Sequence, residues 1–252
     1  MRTVCIAGAG IGAAHLAGYA ALPDRFRVVS VCDLDENRGR TLAAQYDGAA
    51  YVRDLDAVLT DPDVDLIDIC LPPHLHFTTA MSALDAGKIV VCEKPLVSSL
   101  AEADQLIARA ESTGGHVFPV FQYRYGPGTA ELHALINAGL AGRCYAGSLE
   151  THWNRDADYY AVDWRGTWAG EQGGAILGHA IHIHDLLQSV LGPVARVYAD
   201  LETRVNDIEV EDCAALSIRM QHGALITSSV TLGAADNTSR MRLMFEGFTV
   251  ES

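Results

Sequence analysis

Glycines that follow an apolar run directly are the first residues of the chain with an evident chemical use. The run GAGIGAAH occupies residues 8–15, between the apolar letters VCIA and a helical pattern. In this position Gly8 permits a tight turn, and Gly10 lets the backbone approach a pyrophosphate. Gly12 or Ala13 allows close helix packing, and the N–H groups at the helix start attract the anion. The residues predicted to bind a dinucleotide here are Gly8, Gly10, Ile11, Gly12 and Ala13.

A carboxylate after the next apolar run indicates which dinucleotide binds. Asp33 ends the run RVVSVCD, about 20 residues beyond the glycines, where such a residue accepts hydrogen bonds from the adenosine ribose. Its charge would repel a 2′-phosphate, and the residue directly after it is Leu34 rather than an arginine. We therefore predict NAD, not NADP, as the cofactor.

A lysine and a group of histidines could supply proton transfer. Lys94 follows KIVVCE, a run typical of a buried strand, and ligands of open α/β sheets bind at the carboxyl ends of strands. Three histidines, His179, His182 and His184, fall in a predicted helix over residues 175–191. Imidazoles titrate near neutral pH and so act as bases. We predict no metal site here, because residues 179 and 182 share a helix face while His184 points elsewhere.

Aromatic residues cluster in a long glycine- and tryptophan-rich loop over residues 154–174. Aromatic faces among polar groups suit the C–H faces and hydroxyls of a sugar ring, and they suit a subunit interface equally well. Both interpretations stay open, and we expect Trp164 and Arg165 to bind substrate. The residues concerned are Trp153, Tyr159, Tyr160, Trp164, Arg165 and Trp168.

Two different patterns of elements must position these groups. Residues 3–122 alternate short β-branched runs with helical patterns, which indicates parallel strands joined by crossover helices in a doubly wound α/β sheet. The predicted helices lie near residues 12–22, 35–46, 75–86 and 99–112, the last capped by Ser98 or Ser99. Beyond about residue 140 the pattern changes to strands with a single helix, which indicates an α+β domain built on a large, open, mainly antiparallel sheet.

This change of pattern predicts two domains that pack directly on each other. We expect a cofactor-binding domain over residues 1–122 and a domain for substrate binding and oligomerisation over residues 123–252. A sheet face without helices, expected to be apolar, predicts a homodimer or homotetramer through the second domain. The final letters FEGFTVES end in a strand-like run.

Composition excludes several classes of partner. The net charge of −14 repels nucleic acid and anionic membrane surfaces. The apolar run at the amino end is too short for a signal peptide or a membrane span. Six scattered cysteines without a CxxC pair predict reduced thiols in the cytoplasm.

Four further segments follow the glycine run in a characteristic order: CLPPHLH (70–76), CEKP (92–95), FQYRY (121–125) and GGAILGHAIHIHD (173–185). With it they resemble the glucose-fructose oxidoreductase/inositol dehydrogenase (Gfo/Idh/MocA) family, over almost the whole chain. The resemblance implies a Rossmann domain followed by an α/β domain with an open antiparallel sheet. It also implies a secondary alcohol substrate, an NAD cofactor and no metal. Because the resembled family continues through further strands after FEGFTVES, we expect the carboxyl end to be incomplete.

The resemblance also implies roles for individual residues. Glu93 would hold the nicotinamide ribose, Lys94 would touch both substrate and cofactor, and Pro95 would follow a cis peptide. His182 matches the family's catalytic histidine, and Asp185 would either orient it or bind substrate. Beside the cofactor the resemblance places Pro72, His74, His76 and Gln122, where His74 replaces a common Asn; Arg124 and His179 fall with the substrate-binding residues.

One position departs from the family pattern. Many members carry Asp four residues before the histidine, where this chain has Gly178. His179 or a water molecule would then orient the base, or the substrate differs. The segment WRGTWAGEQGG resembles a subgroup in which that Asp is often replaced, so we do not expect a loss of activity.

Alcohol oxidation by hydride transfer needs a base for the hydroxyl proton and a cation for the developing alkoxide. We assign His182 as the base and Lys94 as the cation, and the reverse assignment stays open. The predicted substrate is a sugar, an inositol or a sugar-derived acid. Two alternatives are a glycosidase that uses tightly bound NAD for transient oxidation and a redox-sensing NAD-binding protein without turnover.

Overall fold

The computed structural model describes all 252 residues and divides them into two compact units, Met1–Val120 and Phe121–Ser252. The boundary expected from the sequence, between residues 122 and 123, lies close to this division. No helix combines the length and the apolar character that crossing a bilayer requires.

The first unit is a parallel sheet of six strands with helices between them. Its strands are β1 (Arg2–Ala7), β2 (Phe26–Cys32), β3 (Ala50–Val52), β4 (Leu66–Ile69), β5 (Ile89–Cys92) and β6 (Val117–Pro119). Its helices are α1 (Gly12–Ala20), α2 (Glu36–Ala43), α3 (Leu55–Leu59), α4 (His76–Asp85) and α5 (Leu100–Thr113). The strand order β3-β2-β1-β4-β5-β6, all parallel, confirms the predicted doubly wound sheet.

Local sequence explains most of this unit. The last four residues of β1 are all buried, as the continuous apolar run requires of a central strand covered on both faces. The side chain of Ser99 caps α5 by accepting from the backbone N–H of Glu102 at 3.2 Å, so Ser99 and not Ser98 is the cap. Three-residue β3 and five-residue α3 are too short to produce a hydrophobic period.

The second unit is a mixed sheet of six strands. They are β7 (Cys144–Asn154), β8 (Val194–Glu202), β9 (Cys213–Met220), β10 (Leu225–Thr231), β11 (Gly233–Phe245) and β12 (Thr249–Glu251). In the order β12-β11-β7-β10-β9-β8 every neighbouring pair is antiparallel except β7 and β10. This confirms the predicted mainly antiparallel sheet.

The second unit has more helix than its sequence predicted. It contains α6 (Pro127–Asn137), α7 (Ala157–Tyr160), α8 (Trp168–Glu171) and α9 (Ile181–Leu191). The predicted helix over 175–191 is divided into a π-helical segment, Ile176–Ala180, and α9. Segments of this kind inside helices are frequently found at functional sites.

The two faces of the second sheet differ in chemistry. Helices α6 and α9 cover one face, and the shared core includes Leu132, Leu149, Leu187 and Ile226. No helix of the unit covers the other face, but its side chains are mostly polar or charged, Glu150, Arg240 and Arg242 among them, so the expectation of an apolar uncovered face is wrong. Strand register places Ser148, Ser217, Thr227 and Ser229 there.

Candidate functional site

The glycine run forms the turn between β1 and α1. Gly8 has φ of +105°, and a Cβ on it would lie 2.4 Å from the carbonyl oxygen of Cys70, so only glycine fits. A Cβ on Gly12 would lie 2.7 Å from Cγ2 of Ile6, which makes Gly12, rather than Ala13, the residue that permits close packing of α1. A Cβ on Gly10 would have no atom within 4 Å.

This turn suits a pyrophosphate. No side chain caps α1, because its N-cap residue is Ile11, which has no hydrogen-bonding side chain and is exposed. The space beside Gly10 and the uncapped N-terminus together leave room for an anion against backbone N–H groups. The residues present therefore fit the dinucleotide predicted from the sequence.

Asp33 is buried at the end of β2 and is held at both oxygens. It accepts from the backbone N–H of Ala9 at 2.7 Å and from that of Asp35 at 2.8 Å. Arg38 on α2 donates to both oxygens as well. Burial alone would raise the pKa of Asp33, but the hydrogen bonds from Arg38, Ala9 and Asp35 lower it. Arg38 was not predicted from the sequence, although its position five residues after Asp33 is a signal that could have indicated it.

His76 joins two loops at the carboxyl end of the sheet. Its Nδ1 lies 2.7 Å from the carbonyl oxygen of Pro95, and its Nε2 lies 2.7 Å from that of Leu71. The ring is almost fully buried, and burial lowers its pKa. This placement favours a bracing role for His76 over a direct cofactor contact. The neighbouring Pro72 and His74 lie at the start of the short 3₁₀ turn before α4, partly exposed.

Glu93 and Lys94 follow β5 directly, and the peptide bond between Lys94 and Pro95 is cis, which confirms that expectation. Glu93 Oε2 accepts from the backbone N–H of Lys94 at 3.1 Å, and Oε1 lies 3.0 Å from His15 Nε2. Burial would raise the pKa of Glu93, but the hydrogen bond from His15 and the charge of Lys94 lower it. Glu93 is therefore a carboxylate, engaged at both oxygens.

In the second unit the predicted histidines have different surroundings. His182, on α9, is buried with its ring 5.2 Å from that of Tyr123. His179, in the π-helical segment, is buried beside Trp153, and its Nε2 lies 3.4 Å from the hydroxyl of Tyr159. His184 points to the sheet, where its Nε2 lies 2.9 Å from the hydroxyl of Ser228.

Asp185 lies one helical turn beyond His182 and pairs with Arg124. Arg124 Nε donates to Asp185 Oδ2 at 2.6 Å, and Nη2 donates to Oδ1 in a second hydrogen bond. Both residues were predicted to bind substrate, and in the structure each is the other's partner. Gln122 begins the short 3₁₀ turn that ends at Arg124.

Contacts between Gly174 and Glu211 fix the start of the histidine segment, residues 176–185, which contains His179, His182 and His184. Glu211 accepts from the backbone N–H groups of Gly174 and Ile176, each at 3.1 Å. A Cβ on Gly174 would lie 2.0 Å from the carbonyl oxygen of Glu211, so the approach requires glycine. Glu211 was not predicted from the sequence, because no local residue pattern indicates it. A Cβ on Gly178, where many family members carry Asp, would have no atom within 4 Å.

The aromatic loop forms a stacked cluster around Tyr159. The guanidinium of Arg165 lies 3.7 Å from the centre of the Tyr159 ring and 5.0 Å from that of Trp164. Arg155 lies 4.9 Å from the centre of the same tyrosine ring. Trp164 and Arg165 therefore help to position Tyr159, the neighbour of His179, whereas Trp168 is exposed.

Comparison with known proteins agrees with this arrangement. A family model described as an oxidoreductase family with an NAD-binding Rossmann fold matches residues 2–121, and the Gfo/Idh/MocA C-terminal domain matches residues 129–251. Levoglucosan dehydrogenase of Pseudarthrobacter phenanthrenivorans is 28% identical over 79% of this chain and 53% of its own length. Inositol 2-dehydrogenase 1 of Saccharopolyspora erythraea is 30% identical over 55% of this chain and 42% of its own length.

A solved structure is similar over nearly the entire chain. It is the WlbA dehydrogenase from Bordetella pertussis in complex with NADH and UDP-GlcNAcA, with a TM-score of 0.93 and 29% identity over 99% of this chain and 73% of that one. The chain spans about half the length of the curated levoglucosan dehydrogenase. The predicted NAD-binding Rossmann domain is confirmed, and the chain belongs to the Gfo/Idh/MocA family of NAD-binding oxidoreductases.

Proposed function

We propose that this protein is a dehydrogenase that transfers hydride between NAD and a secondary alcohol of a sugar, an inositol or a sugar-derived substrate. The observation that carries the proposal is the group on α9, where His182 is buried against Tyr123, one turn from the paired Arg124 and Asp185. Relatives named as levoglucosan and inositol dehydrogenases support the substrate class.

The first unit would hold the cofactor. The backbone from Gly8 to Ala13 would bind the pyrophosphate, and Asp33 would accept from the adenosine ribose. Pro72, Glu93 and Gln122 complete the cofactor-binding residues that we propose from the family resemblance, and His76 would brace the loops that carry them. When bound, NAD supplies the hydride acceptor.

The proton would be taken by His182. The imidazole of His182 is buried against the ring of Tyr123, and an imidazole nitrogen can accept a proton from a substrate hydroxyl. Lys94 would stabilise the alkoxide as it forms. The opposite assignment, with Lys94 as the base and His182 as the cation, would give the same reaction with a different dependence on pH.

Substrate hydroxyls would be oriented by Arg124 and Asp185, whose fork-shaped pairing leaves lone pairs and N–H groups at its edges. His179 would take part through its contact with Tyr159, in place of the carboxylate that Gly178 lacks. Trp164 and Arg165 would shape this region by supporting Tyr159.

We further propose a homodimer or homotetramer through the uncovered face of the second sheet, located in the cytoplasm. Serine and threonine side chains on this face allow close approach of a second copy and can hydrogen bond across the interface. All six cysteines are unpaired thiols and five of them are buried, as suits a reducing compartment.

A substrate screen tests the proposed function. Polyols, sugars and sugar acids are offered with NAD or NADP, and NADH formation is followed by absorbance. We expect NADH in proportion to substrate oxidised for at least one polyol. Glycoside turnover without net NADH would instead identify the glycosidase, and NAD binding without turnover of any substrate would identify the sensor.

A further inference from the structure

A partly buried histidine that the proposed mechanism does not use lies between two carboxylates. His15, in the first turn of α1, has Nδ1 2.8 Å from Asp68 Oδ2 and Nε2 3.0 Å from Glu93 Oε1. Its side chain is 14% exposed, and that of Asp68, inside β4, is fully buried. Three elements, α1, β4 and the end of β5, therefore meet through one imidazole.

The partners of the ring determine its charge. An ionised carboxylate only accepts hydrogen bonds, so His15 must carry a proton on each nitrogen to satisfy both neighbours. Burial alone would lower the pKa of His15, but hydrogen bonds to Asp68, Cys70 and Glu93 and the negative charge of Asp68 raise it to about 12. The location near a helix N-terminus disfavours a cation, yet two adjacent carboxylates outweigh that effect.

Asp68 explains why the cation is kept. A carboxylate inside a central strand, flanked by the buried side chains of Ile67 and Ile69, is costly to bury without a charged partner. His15 is such a partner, and Asp68 in turn holds the ring so that Nε2 faces Glu93. The other oxygen of Glu93 accepts from the backbone N–H of Lys94. The charges along this line alternate from Asp68 through His15 and Glu93 to Lys94.

We propose that His15 is a positioning residue that fixes the Glu93 carboxylate and, through it, the lysine that the oxidation uses. The inference rests on the proposed function for its catalytic consequence. The structural link from His15 to Lys94 can nevertheless be measured without any turnover.

The first measurement is the charge of His15. Imidazole ¹⁵N–¹H spectra distinguish the cationic ring from both neutral tautomers. We expect one ring, identified by its loss in His15→Gln, to stay cationic at pH 9, and to become neutral by pH 8 in Asp68→Asn. A His15 ring that titrates near its ordinary pKa overturns the inference. His15, Asp68 and Cys70 could also ligate a metal. Dialysed protein that retains one zinc per chain, and that loses the zinc in Cys70→Ala, therefore overturns the inference as well.

The second measurement is the reactivity of Lys94. The chain has only two lysines, Lys88 and Lys94, so acylation at each is resolved by peptide mass, with the amine of Met1 as internal reference. Without the positive charge of His15, Glu93 holds the Lys94 proton more strongly. We expect Lys94 to be labelled about threefold or more slowly at pH 8 in His15→Gln. The control is His116→Gln, another imidazole of the first unit, which contacts Phe118.

The third measurement is turnover. A misplaced catalytic group costs up to about 100-fold, so we expect kcat to fall about 10- to 100-fold in His15→Gln with KM for NAD changed less than about threefold. Unchanged Lys94 labelling, or unchanged kcat in a protein that does turn over, overturns the inference. A wild-type protein with a cationic His15, the labelling effect and no turnover on any alcohol overturns the proposed function and leaves the link from His15 to Lys94 established.

Discussion

Arg38 donates two hydrogen bonds to the carboxylate of Asp33, from Nε to Oδ2 at 3.1 Å and from Nη2 to Oδ1 at 2.8 Å. The residue that we propose to select the cofactor ribose is therefore already paired with a cation. Asp33 also holds the glycine turn through the backbone N–H of Ala9. We expect cofactor choice to depend on this carboxylate, which accepts hydrogen bonds from Ala9, Asp35 and Arg38.

Replacement of Asp33 tests this arrangement. The wild-type protein should bind NAD more tightly than NADP, and Asp33→Ser should shift the ratio toward NADP by about tenfold or more, because Arg38 can then bind a 2′-phosphate. Adding Leu34→Arg should extend the shift, whereas adding Arg38→Ala should remove it. Fluorescence titrations with both cofactors measure the ratio, and equal wild-type affinities would contradict the prediction.

Lys94 and His182 should both be needed for turnover. Lys94→Ala and His182→Ala should each lower kcat by about two to four orders of magnitude, as expected for loss of a charge-stabilising or proton-transfer group. NAD affinity should change little. The double variant should lose much less than the product of the single effects if both residues act on one transition state.

Gly178→Asp introduces the carboxylate that many family members carry at this position, where a Cβ has no atom within 4 Å. The fold should tolerate this substitution.

Near-normal turnover in His182→Ala would show that another group is the base, with His179 and Asp185 the next to test.

The pairing of Arg124 with Asp185 should matter for substrate and not for cofactor. Asp185→Asn should raise the substrate KM by about 10-fold or more, and Arg124→Lys should do the same because an ammonium cannot reproduce the two-point contact. The KM for NAD should stay within about twofold. The control is Asp85→Asn, which breaks the exposed ion pair between Asp85 on α4 and Arg109 on α5. It should leave both KM values unchanged.

The charge of His15 also predicts how stability depends on pH. Its pKa in the folded protein is about 12 against 6.5 for an ordinary histidine, so its contribution is full below about pH 6.5 and falls as the pH rises toward 12. The loss of Tm in His15→Gln, relative to wild type, should therefore be largest near pH 6 and smaller at pH 9. A Tm difference that grows with pH would show that the ring is not held as a cation.

Assembly should depend on the uncovered face of the second sheet. Light scattering at micromolar concentrations should give a dimer or a tetramer, and Ser217→Arg, in the middle of that face, should reduce its mass. Glu131→Arg, on the exposed side of α6, should not. A monomeric wild-type protein would rule out this interface.

Residue spacing alone predicts the fold of the first unit and the location of its glycine turn between β1 and α1. The glycines, the continuous apolar strands and the Asp33 that ends β2 all depend on local geometry, which residue spacing encodes directly. The strands of the second unit were also predicted from the sequence, but α6 was not. The prediction that the uncovered face is apolar was wrong because a pattern of alternation does not reveal which side of the sheet a helix will cover.

Tertiary structure decided the electrostatics. Asp68, His15 and Glu93 come from three separate elements, and nothing in the sequence indicates that an imidazole near the glycine turn would lie between two carboxylates. The same holds for Glu211 at the start of the histidine segment and for Arg124 on Asp185. The charge of a buried group depends on its burial and on the partners within a few ångströms of it, and those partners are chosen by packing between elements far apart in the chain.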